Sequence, residues 1–279
     1  MVEKAFDITE KENIELDLLL EAIYKKYGYD FRNYSKAHLR RRIIGRMNRS
    51  KLTSLSAMLQ KLLNEPEFAH QLLTDLSLNT TEMFRDPLFF KAIRDFVIPL
   101  LKTYPLVKIW HAGCSTGEEV YSMAIILKEA GLLEKCLIYA TDFNQIIVDQ
   151  AAEALYKVDH IQSYNENYHN SGGTASLSNY FTVQNNLSMF DKDLRKNIVF
   201  ANHNLVTNGA FGEMNMIICR NVLIYFNRDL QNKVIKLFYD SLIPGGILSI
   251  GSKETLIFSE LKGHFIPLHK LNIFKKKYD

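Results

Sequence analysis

Apolar residues in the first part of the chain recur at intervals of three and four, which is the spacing of amphipathic helices. The positions that carry this pattern are Leu16, Leu19, Leu20, Ile23, Leu39, Ile43, Met47, Leu55, Met58, Leu59, Leu62 and Leu63. Breaks fall at Gly28, near Ser54 and before Pro66, and Ser54 is also a favoured helix N-cap. The pattern predicts a small all-α domain over 1–77 that contains four or five helices.

The pattern changes near residue 107, where short apolar runs begin to alternate with helical stretches. The strand-like runs are 107–111, 137–141, 198–202, 215–219 and 247–251. Helical stretches lie between them at about 117–130, 144–154 and 228–242. Strands joined by helical crossovers form a parallel sheet with right-handed connections, so the fold class predicted for 78–279 is α/β. Two last runs, 265–267 and 270–274, predict a hairpin that adds an antiparallel edge.

Two segments stand outside this alternation. A helix is expected to begin near Pro87, because proline is favoured in the first helical turn, and to end by Lys102. Residues 159–196 are polar and contain Gly172 and Gly173. We interpret this segment as an inserted appendage with a short helix and a small antiparallel β structure.

The composition is that of an ordinary globular protein, with 279 residues of which 47% are hydrophobic and 23% charged. No apolar run reaches the roughly 18 residues that a membrane span requires. The N-terminus lacks the basic and apolar regions of a signal peptide. Cys114, Cys136 and Cys219 are odd in number and show no metal-type spacing, which predicts reduced cysteines, no metal and a cytoplasmic location.

Positive charge is concentrated in one segment, although the net charge of the chain is only +3. Residues 25–51 contain ten basic residues and one acidic residue, Asp30, so they carry +9 and the rest of the chain carries −6. Arg42, Arg46 and Arg49 form one stripe beside the apolar face of a helix. A solvated helix face, an acidic protein helix and nucleic acid are the alternatives for this stripe. The charge is nearly uncompensated within the segment, which favours an acidic partner surface over a solvated face. No recognition-helix pattern or aromatic interleaving supports nucleic acid, and an acidic protein helix is an equally good candidate.

The loop after the first predicted strand is the most informative stretch. Gly113 and Gly117 lie four residues apart, and two carboxylates, Glu118 and Glu119, follow at once. Parallel sheets bind nucleotide-like ligands at the carboxyl ends of their strands, and glycine lets the backbone approach such a ligand. The acidic pair would repel a triphosphate and attract a cationic amine. Because the loop also lacks the P-loop ending and the third glycine of a dinucleotide fingerprint, S-adenosylmethionine fits best.

Polar residues also follow the other predicted parallel strands. Asp142 could accept hydrogen bonds from ribose hydroxyls, and Asn204 could bond an adenine edge, while the fourth strand runs into 219–226. Each has a simpler explanation: Asp142 could cap a helix, Asn204 could shape a turn, and Glu118 and Glu119 could favour a helix N-terminus. Four polar strand ends at one crevice nevertheless favour the cofactor interpretation.

The segment 79–85 precedes the predicted sheet and has two interpretations. It is an interdomain linker in which Arg85 is solvated, or it folds over the cofactor pocket so that Arg85 faces a carboxylate. Composition alone favours the linker.

Several strings resemble the chemotaxis receptor methyltransferases, the CheR family. They are 77–86 (Ser-Leu-Asn-Thr-Thr-Glu-Met-Phe-Arg-Asp), 112–119 (Ala-Gly-Cys-Ser-Thr-Gly-Glu-Glu), 219–226 (Cys-Arg-Asn-Val-Leu-Ile-Tyr-Phe), 242–246 (Leu-Ile-Pro-Gly-Gly) and 251–254 (Gly-Ser-Lys-Glu). The resemblance covers nearly the whole chain. It implies a Rossmann-like class I methyltransferase sheet and methyl transfer from S-adenosylmethionine to glutamate side chains of chemoreceptors, with S-adenosylhomocysteine as product.

Residue by residue, the resemblance implies a set of cofactor contacts, to which the loop reasoning adds Gly113. The set is Asn79, Thr81, Arg85, Glu119, Asp142, Asn204, Leu205, Asn221 and Val222. Glu119 would meet the methionine amino group and Asp142 the ribose, while the catalytic residues Arg85 and Tyr225 would flank the methyl-transfer point. A glutamate carboxylate is already nucleophilic and a sulfonium is activated, so alignment and exclusion of water are the main requirements.

The resemblance also implies how the partner is bound. An arginine-rich helix would dock on the acidic methylation region of the chemoreceptor's cytoplasmic helices, and its residues here are Arg40, Arg41, Arg42, Arg46 and Arg49. Members that tether to a receptor's tail peptide carry a glycine-rich insertion in the appendage, whereas 180–200 is shorter and free of glycine. We therefore expect a monomer without tail tethering, nucleic acid or membrane insertion. The alternatives are a non-catalytic cofactor-binding regulator and a nucleic-acid methyltransferase, although the chain lacks the Asn/Asp-Pro-Pro-Tyr/Phe string of enzymes that hold a flipped base.

Overall fold

The structure is a computed structural model that describes residues 10–77 and 81–278. The chain divides into two compact units. The first, called here the helical unit, consists of Met1–Leu78 and Tyr225–Leu230, and the second, the sheet unit, consists of Asn79–Ile224 and Gln231–Asp279.

The helical unit is built from amphipathic helices. Its described residues form α1, Glu10–Tyr27; α2, Lys36–Arg49; α3, Leu55–Asn64; and α4, Pro66–Leu76. Helix α1 buries the four apolar residues whose spacing predicted it. The hydroxyl of Ser54 caps α3 by accepting a hydrogen bond from the N–H of Ala57 at 3.1 Å. The predicted helices, with breaks at Gly28, Ser54 and Pro66, are confirmed.

The described residues of the sheet unit form a seven-stranded sheet and a separate three-stranded sheet. In chain order the strands are β1, Val107–Ala112; β2, Cys136–Asp142; β3, Leu155–Lys157; β4, Phe181–Gln184; β5, Leu187–Phe190; β6, Ile198–Asn202; β7, Met214–Cys219; β8, Leu242–Ile250; β9, Phe265–His269; and β10, Ile273–Lys276. The large sheet has the order β6-β2-β1-β7-β8-β10-β9, and the small sheet has the order β3-β5-β4.

The five strands from β6 to β8 in the large sheet are parallel, whereas β10 is antiparallel to both of its neighbours. The register places Ala112 beside Thr141 and Asp142 beside Asn202, so the parallel strands end at one edge. The chain passes from β1 to β2 and β6 and then returns to β7 on the other side of β1. This reversal opens a crevice at the carboxyl ends of β1 and β7, where open α/β sheets bind ligands. The predicted mostly parallel α/β sheet is confirmed.

Seven further helices lie in the described residues after the first unit's four. They are α5, Pro87–Ala92; α6, Ile98–Leu101; α7, Glu118–Glu129; α8, Gln145–Glu153; α9, Ile161–Asn170; α10, Lys192–Arg195; and α11, Arg228–Ser241. A π turn, Ile93–Val97, joins α5 to α6, so the helix predicted from Pro87 is not regular throughout. Its physical cause is Pro99, which has no N–H to donate to the carbonyl of Asp95.

Three boundaries differ from prediction. The appendage begins at Leu155 rather than at 159, because β3 has only three residues and gives no alternating pattern. Strand β8 begins at Leu242 rather than 247, with a register shift beside its glycines, including Gly245 at φ +77°. The C-terminal hairpin forms, but β10 lies between β8 and β9, so β9 is the edge strand.

Helix α7 is the part of this architecture that positions the glycine loop. Nine of its 12 residues are buried, including Tyr121, whose ring stacks on Phe190 of the small sheet at 5.3 Å. Its first turn therefore has little freedom to move relative to the sheet.

Candidate functional site

The glycine loop, residues 113–117, is held against the end of β2. The N–H groups of Gly113 and Cys114 both donate to the carbonyl of Thr141 at 2.8 Å. Ser115 has a φ of +51°, a left-handed conformation that is uncommon for a residue with a side chain. The backbone of the loop is thus fixed by the neighbouring strand.

The two glycines of this loop are required by packing within the protein. A Cβ at Gly113 would lie 2.6 Å from Cγ2 of Val222, and a Cβ at Gly117 would lie 3.0 Å from the hydroxyl of Tyr156. Their φ angles of +82° and +93° also favour glycine. Sequence reasoning attributed both glycines to the approach of a ligand, whereas the structure shows that protein side chains already occupy the space beside them.

Asp142 ends β2 and ties the glycine loop to the next helix. One of its carboxylate oxygens accepts from the N–H of Ser115 and the other from the N–H of Asn144, each at 3.1 Å. Burial raises the pKa of Asp142, and these backbone hydrogen bonds act in the opposite direction. Asn144 is the residue that caps α8, by accepting from Ile146 at 3.1 Å. Helix capping therefore does not explain Asp142.

Glu119 belongs to a charge network between the ends of β1 and β7. Its carboxylate lies 3.3 Å from Nδ1 of His111 and accepts from Nη1 of Arg220 at 2.9 Å. Arg220 also binds Asp86 at 2.5 Å, and its guanidinium lies 3.9 Å from the centre of the Phe89 ring. Burial alone would raise the pKa of Glu119, but His111 and Arg220 outweigh burial and hold the pKa below its usual value. The network thus keeps an ionised carboxylate at the predicted cofactor edge.

Arg220 was given no role by sequence reasoning, although it proves central to this network. Its side chain is 2% exposed. Its position directly after the apolar strand β7 could have indicated a buried arginine, and a buried arginine is almost always paired with an acidic group. The sequence could not identify the partners, since Glu119 is 101 residues away.

A cavity of about 470 Å³ lies beside the glycine loop within the sheet unit. It is lined by Thr81, Glu82, Thr116, Glu118, Gln150, Glu153, Leu155, Tyr156, Lys157, His160, Ser163 and Tyr164. Glu118 is buried here, accepts from the hydroxyl of Thr116 at 2.6 Å and has a pKa raised by burial. Of the predicted cofactor residues, Thr81 lines this cavity, together with Thr116 of the glycine loop.

The end of β6 is a turn. Oδ1 of Asn204 accepts from the N–H of Val206 at 2.9 Å, and the N–H of Asn204 donates to Asn208 at 2.7 Å. The turn explanation therefore holds for the Asn204 side-chain oxygen, while the NH2 group of this amide is not involved in the turn. Leu205 follows it and is 8% exposed.

The end of β7 presents Asn221 and Val222. Asn221 has a φ of +61°, and Val222 packs over Gly113 as described above. The structure therefore brings the ends of β1 and β7 into direct contact. Both side chains are partly exposed, so they remain accessible to a ligand.

The segment before α5 is anchored to the sheet unit rather than solvated. Met83 and Phe84 are fully buried. The N–H of Phe84 donates to the hydroxyl of Ser122 at 2.9 Å, and the carbonyl of Arg85 accepts from Arg220 at 3.4 Å. The linker interpretation is wrong for residues 83–85. Asn79, a predicted cofactor residue, lies outside the described residues.

Tyr225 lies in the helical unit, where α2 holds it. Its carbonyl accepts from the N–H of Ser35 at 2.7 Å. The guanidinium of Arg42 lies 5.3 Å from the centre of the Tyr225 ring, and His38 meets the same ring edge-on at 5.4 Å. Arg42 also donates to the carbonyl of Leu76 at 2.7 Å, and burial lowers its pKa.

The remaining arginines of α2 are largely engaged inside the helical unit. Arg46 and Arg49 both bind the carboxylate of Asp75, the latter at 2.6 Å, and Arg40 donates to a side chain of α1. The interpretation of this charge as nearly uncompensated is therefore wrong, because acidic groups from other helices approach it. Arg41 is exposed.

Three further predictions concern metals, cysteines and membranes. Across residues 10–77 and 81–278, no three His, Cys, Asp or Glu side chains are grouped so that they could hold a metal ion. Cys114, Cys136 and Cys219 are buried and form no disulfide. Among the helices of the described residues, none has both the length and the apolar character to cross a bilayer.

Two family models match the chain. The model described as CheR methyltransferase, SAM binding domain, matches residues 79–270. The model described as CheR methyltransferase, all-alpha domain, matches residues 14–77.

Individual proteins are similar over most of the chain. Cher3 of Pseudomonas putida is 47% identical over 265 residues, which are 95% of this chain and 97% of that protein. The chemotaxis protein methyltransferase 1 of Vibrio cholerae is 31% identical over 235 residues, covering 80% of this chain and 82% of its own. Among solved structures, the N-methyltransferase NodS from Bradyrhizobium japonicum in complex with S-adenosyl-L-homocysteine covers 70% of both chains, with a TM-score of 0.34 and 12% identity.

Proposed function

The chain belongs to the CheR methyltransferase family, and from this premise we propose that it methylates glutamate side chains of chemoreceptors. It is an S-adenosylmethionine-dependent methyltransferase with the Rossmann-like sheet of class I. The observation that supports the cofactor is the pair of fixed carboxylates, Glu119 in the first turn of α7 and Asp142 at the end of β2, while the receptor substrate is proposed from the family and its named relatives. They suit a cofactor that presents a cationic amine and a sugar diol.

The residues present at this edge fit that cofactor. Oγ of Ser115 and Nε2 of His111 are buried there without a hydrogen-bond partner in the described part of the chain. Such atoms are rare unless a ligand or water completes them. We assign the cofactor contacts to Thr81, Arg85, Gly113, Glu119, Asp142, Asn204, Leu205, Asn221 and Val222, and by resemblance to Asn79.

Each contact has a chemical role. Glu119, kept ionised by Arg220, would bind the methionine amino group. Both oxygens of Asp142 accept backbone N–H groups and retain lone pairs for ribose hydroxyls. The bound cofactor supplies an activated methyl group on a sulfonium.

The substrate carboxylate needs no strong base, since glutamate is ionised at neutral pH. We propose that Arg85 binds this carboxylate and that Tyr225 orients it with one hydrogen bond. Too strong a clamp would lower the nucleophilicity of the oxygen, so positioning should matter more than charge. The ring contact with Arg42 supports this role, because it restrains the Tyr225 side chain.

We propose that the receptor docks on α2, with Arg41 as its exposed contact and with Arg40, Arg42, Arg46 and Arg49 contributing through the potential of the surface. The contacts of Arg46 and Arg49 with Asp75 reduce the charge that these two arginines offer to any acidic partner, which leaves Arg41 as the main direct contact. We further propose a cytoplasmic monomer that does not tether to a receptor tail peptide.

The test is transfer of labelled methyl groups to receptor-containing membranes. We expect label in base-labile esters of receptor glutamates, and losses of about tenfold or more for Arg85→Ala and Tyr225→Phe. The exposed Lys236→Ala is the matched control and should keep wild-type activity. Binding of S-adenosylhomocysteine without methyl transfer to any receptor would contradict the proposal and favour a cofactor-binding regulator.

A further inference from the structure

Glu254 is a buried carboxylate that the proposed mechanism does not use. It lies in the turn after β8 and is 6% exposed. Its Oε1 accepts from the N–H of Val222 at 2.8 Å and from the N–H of Ile224 at 3.4 Å, and its Oε2 accepts from the N–H of Gly251. Burial raises the pKa of Glu254, and these N–H groups, together with that of Asn221, act in the opposite direction. The carboxylate of Glu254 thus accepts hydrogen bonds from backbone N–H groups of the loop that follows β7.

The turn that carries Glu254 is itself held in place. The side-chain amide of Asn272 donates to the carbonyl of Gly251 at 2.9 Å and to the carbonyl of Glu254 at 2.8 Å. The N–H of Glu254 donates to the carbonyl of Gly251 at 3.0 Å. A Cβ at Gly251 would lie 2.8 Å from the backbone nitrogen of Asn221. The turn after β8 and the loop after β7 are therefore in contact through their backbones.

The loop that Glu254 holds begins with a residue in a left-handed conformation. Asn221 has a φ of +61°, a left-handed conformation that is uncommon for residues with a side chain and that asparagine adopts more readily than most. Such a conformation persists where the surroundings determine it. Val222, the next residue, fills the space beside Gly113. Glu254 therefore holds the backbone of Val222, and the Val222 side chain in turn packs against the glycine loop.

We infer that Glu254 is a positioning residue of the cofactor site: it holds Asn221–Ile224 in the conformation that presents Asn221 and Val222 to the cofactor. The inference rests on the contacts assigned to these two residues in the proposed function. Glu254 itself contacts the loop backbone and not the cofactor. Loss of its charge should therefore weaken cofactor binding by releasing the loop.

The test is calorimetric titration of the full chain with S-adenosylhomocysteine. Glu254→Gln keeps the size of the side chain but turns an NH2 group toward N–H donors, and we expect its Kd to rise about tenfold or more. Glu260→Gln, an exposed carboxylate in the same connection, should bind like the wild type. Near-UV circular dichroism checks that each variant is folded at the temperature of the titration.

A second control separates positioning from general loss of stability. Phe181→Leu alters a buried ring of the small sheet and should lower the unfolding midpoint without changing the Kd. A merely structural role for Glu254 would leave the Kd of Glu254→Gln within twofold of the wild type, and this result would overturn the inference. If Glu254→Gln does not fold, Asn272→Gly provides the test, because it removes the clamp on the turn and glycine tolerates the φ of +57°. We expect a rise of about threefold or more in its Kd, and an unchanged value would equally overturn the inference.

The outcome is independent of the receptor. If the wild-type protein binds S-adenosylhomocysteine but methylates no receptor, the proposed substrate is contradicted and the role of Glu254 is not affected. If Glu254→Gln binds S-adenosylhomocysteine as tightly as the wild type, only the role of Glu254 is contradicted.

Discussion

Arg220 has a 2% exposed side chain and shares its guanidinium between two carboxylates, Glu119 and Asp86. Removing one carboxylate leaves a buried cation with half of its compensation, which is far more costly than breaking an exposed pair. We predict that Glu119→Gln lowers the free energy of urea unfolding by about 2–4 kcal/mol. Glu134→Gln breaks a pair with Lys196 in which both side chains are more than 40% exposed, and should cause no measurable change. Equal effects of the two substitutions would contradict the network described here.

Glu118 makes the stability of the folded protein depend on pH, and the direction of this dependence follows from the shift of its pKa. Burial raises its pKa above the ordinary 4.5, so the folded protein binds a proton that the unfolded chain has released between 4.5 and the raised value. Wild-type stability should therefore fall as pH rises through this window. Glu118→Gln removes the part of this pH dependence that comes from Glu118, while Asp142 and Glu254, whose pKa values burial also raises, are unchanged. The variant should therefore gain stability relative to the wild type as pH rises. Urea unfolding at several pH values from 4.5 to 7 measures the difference, and a difference independent of pH would refute the assignment.

At the scale of secondary-structure elements, α2 and α4 are joined by charge. Asp75 in the last turn of α4 accepts from both Arg46 and Arg49 of α2, and Arg42 donates to the carbonyl of Leu76 in the same turn. These guanidinium groups supply cations at a helix C-terminus, where the dipole favours them. The arginine stripe is thus part of the fold of the helical unit as well as a candidate docking surface.

Asp75→Asn tests this dual role. We predict a loss of about 1–2 kcal/mol in the free energy of unfolding, because two charge-assisted hydrogen bonds are weakened in a partly buried place. Asp240→Asn, which breaks an exposed pair with Lys236 one turn away, should cost about 0.5 kcal/mol or less. Urea unfolding monitored by far-UV circular dichroism compares the two. A smaller loss for Asp75→Asn than for Asp240→Asn would show that the arginines do not stabilise the helical unit.

Elements with long, regular patterns could be predicted from sequence, and short or irregular ones could not. The helices of the first unit and the five parallel strands follow from the period of their apolar residues. Strand β3 has three residues, too few for a period, and the π turn depends on the missing N–H of Pro99. Asp142 was identified as a polar strand end because position along a parallel strand determines which edge a residue reaches. The partners of Arg220 and the donors to Glu254 are set by contacts between distant segments, which no local pattern encodes.

At the scale of the whole molecule, a ligand that binds only the folded state raises the free energy of unfolding. The charge at the cofactor edge decides which ligands can do so, because the carboxylates of Glu119, Asp142 and Asp86 outnumber the two arginines, Arg85 and Arg220. We predict that S-adenosylhomocysteine at 100 times its Kd raises the free energy of unfolding by about 2.7 kcal/mol. Adenosine, which lacks the cationic α-amino group, should need a higher concentration for the same effect, and ATP should give none because its phosphates meet this acidic edge. Thermal unfolding with each ligand makes the comparison, with Asp142→Asn as a variant that should respond less to S-adenosylhomocysteine. Stabilisation by ATP greater than by S-adenosylhomocysteine would mean that the carboxylates do not face the ligand, and the assignment of Glu119 to an amine would fail.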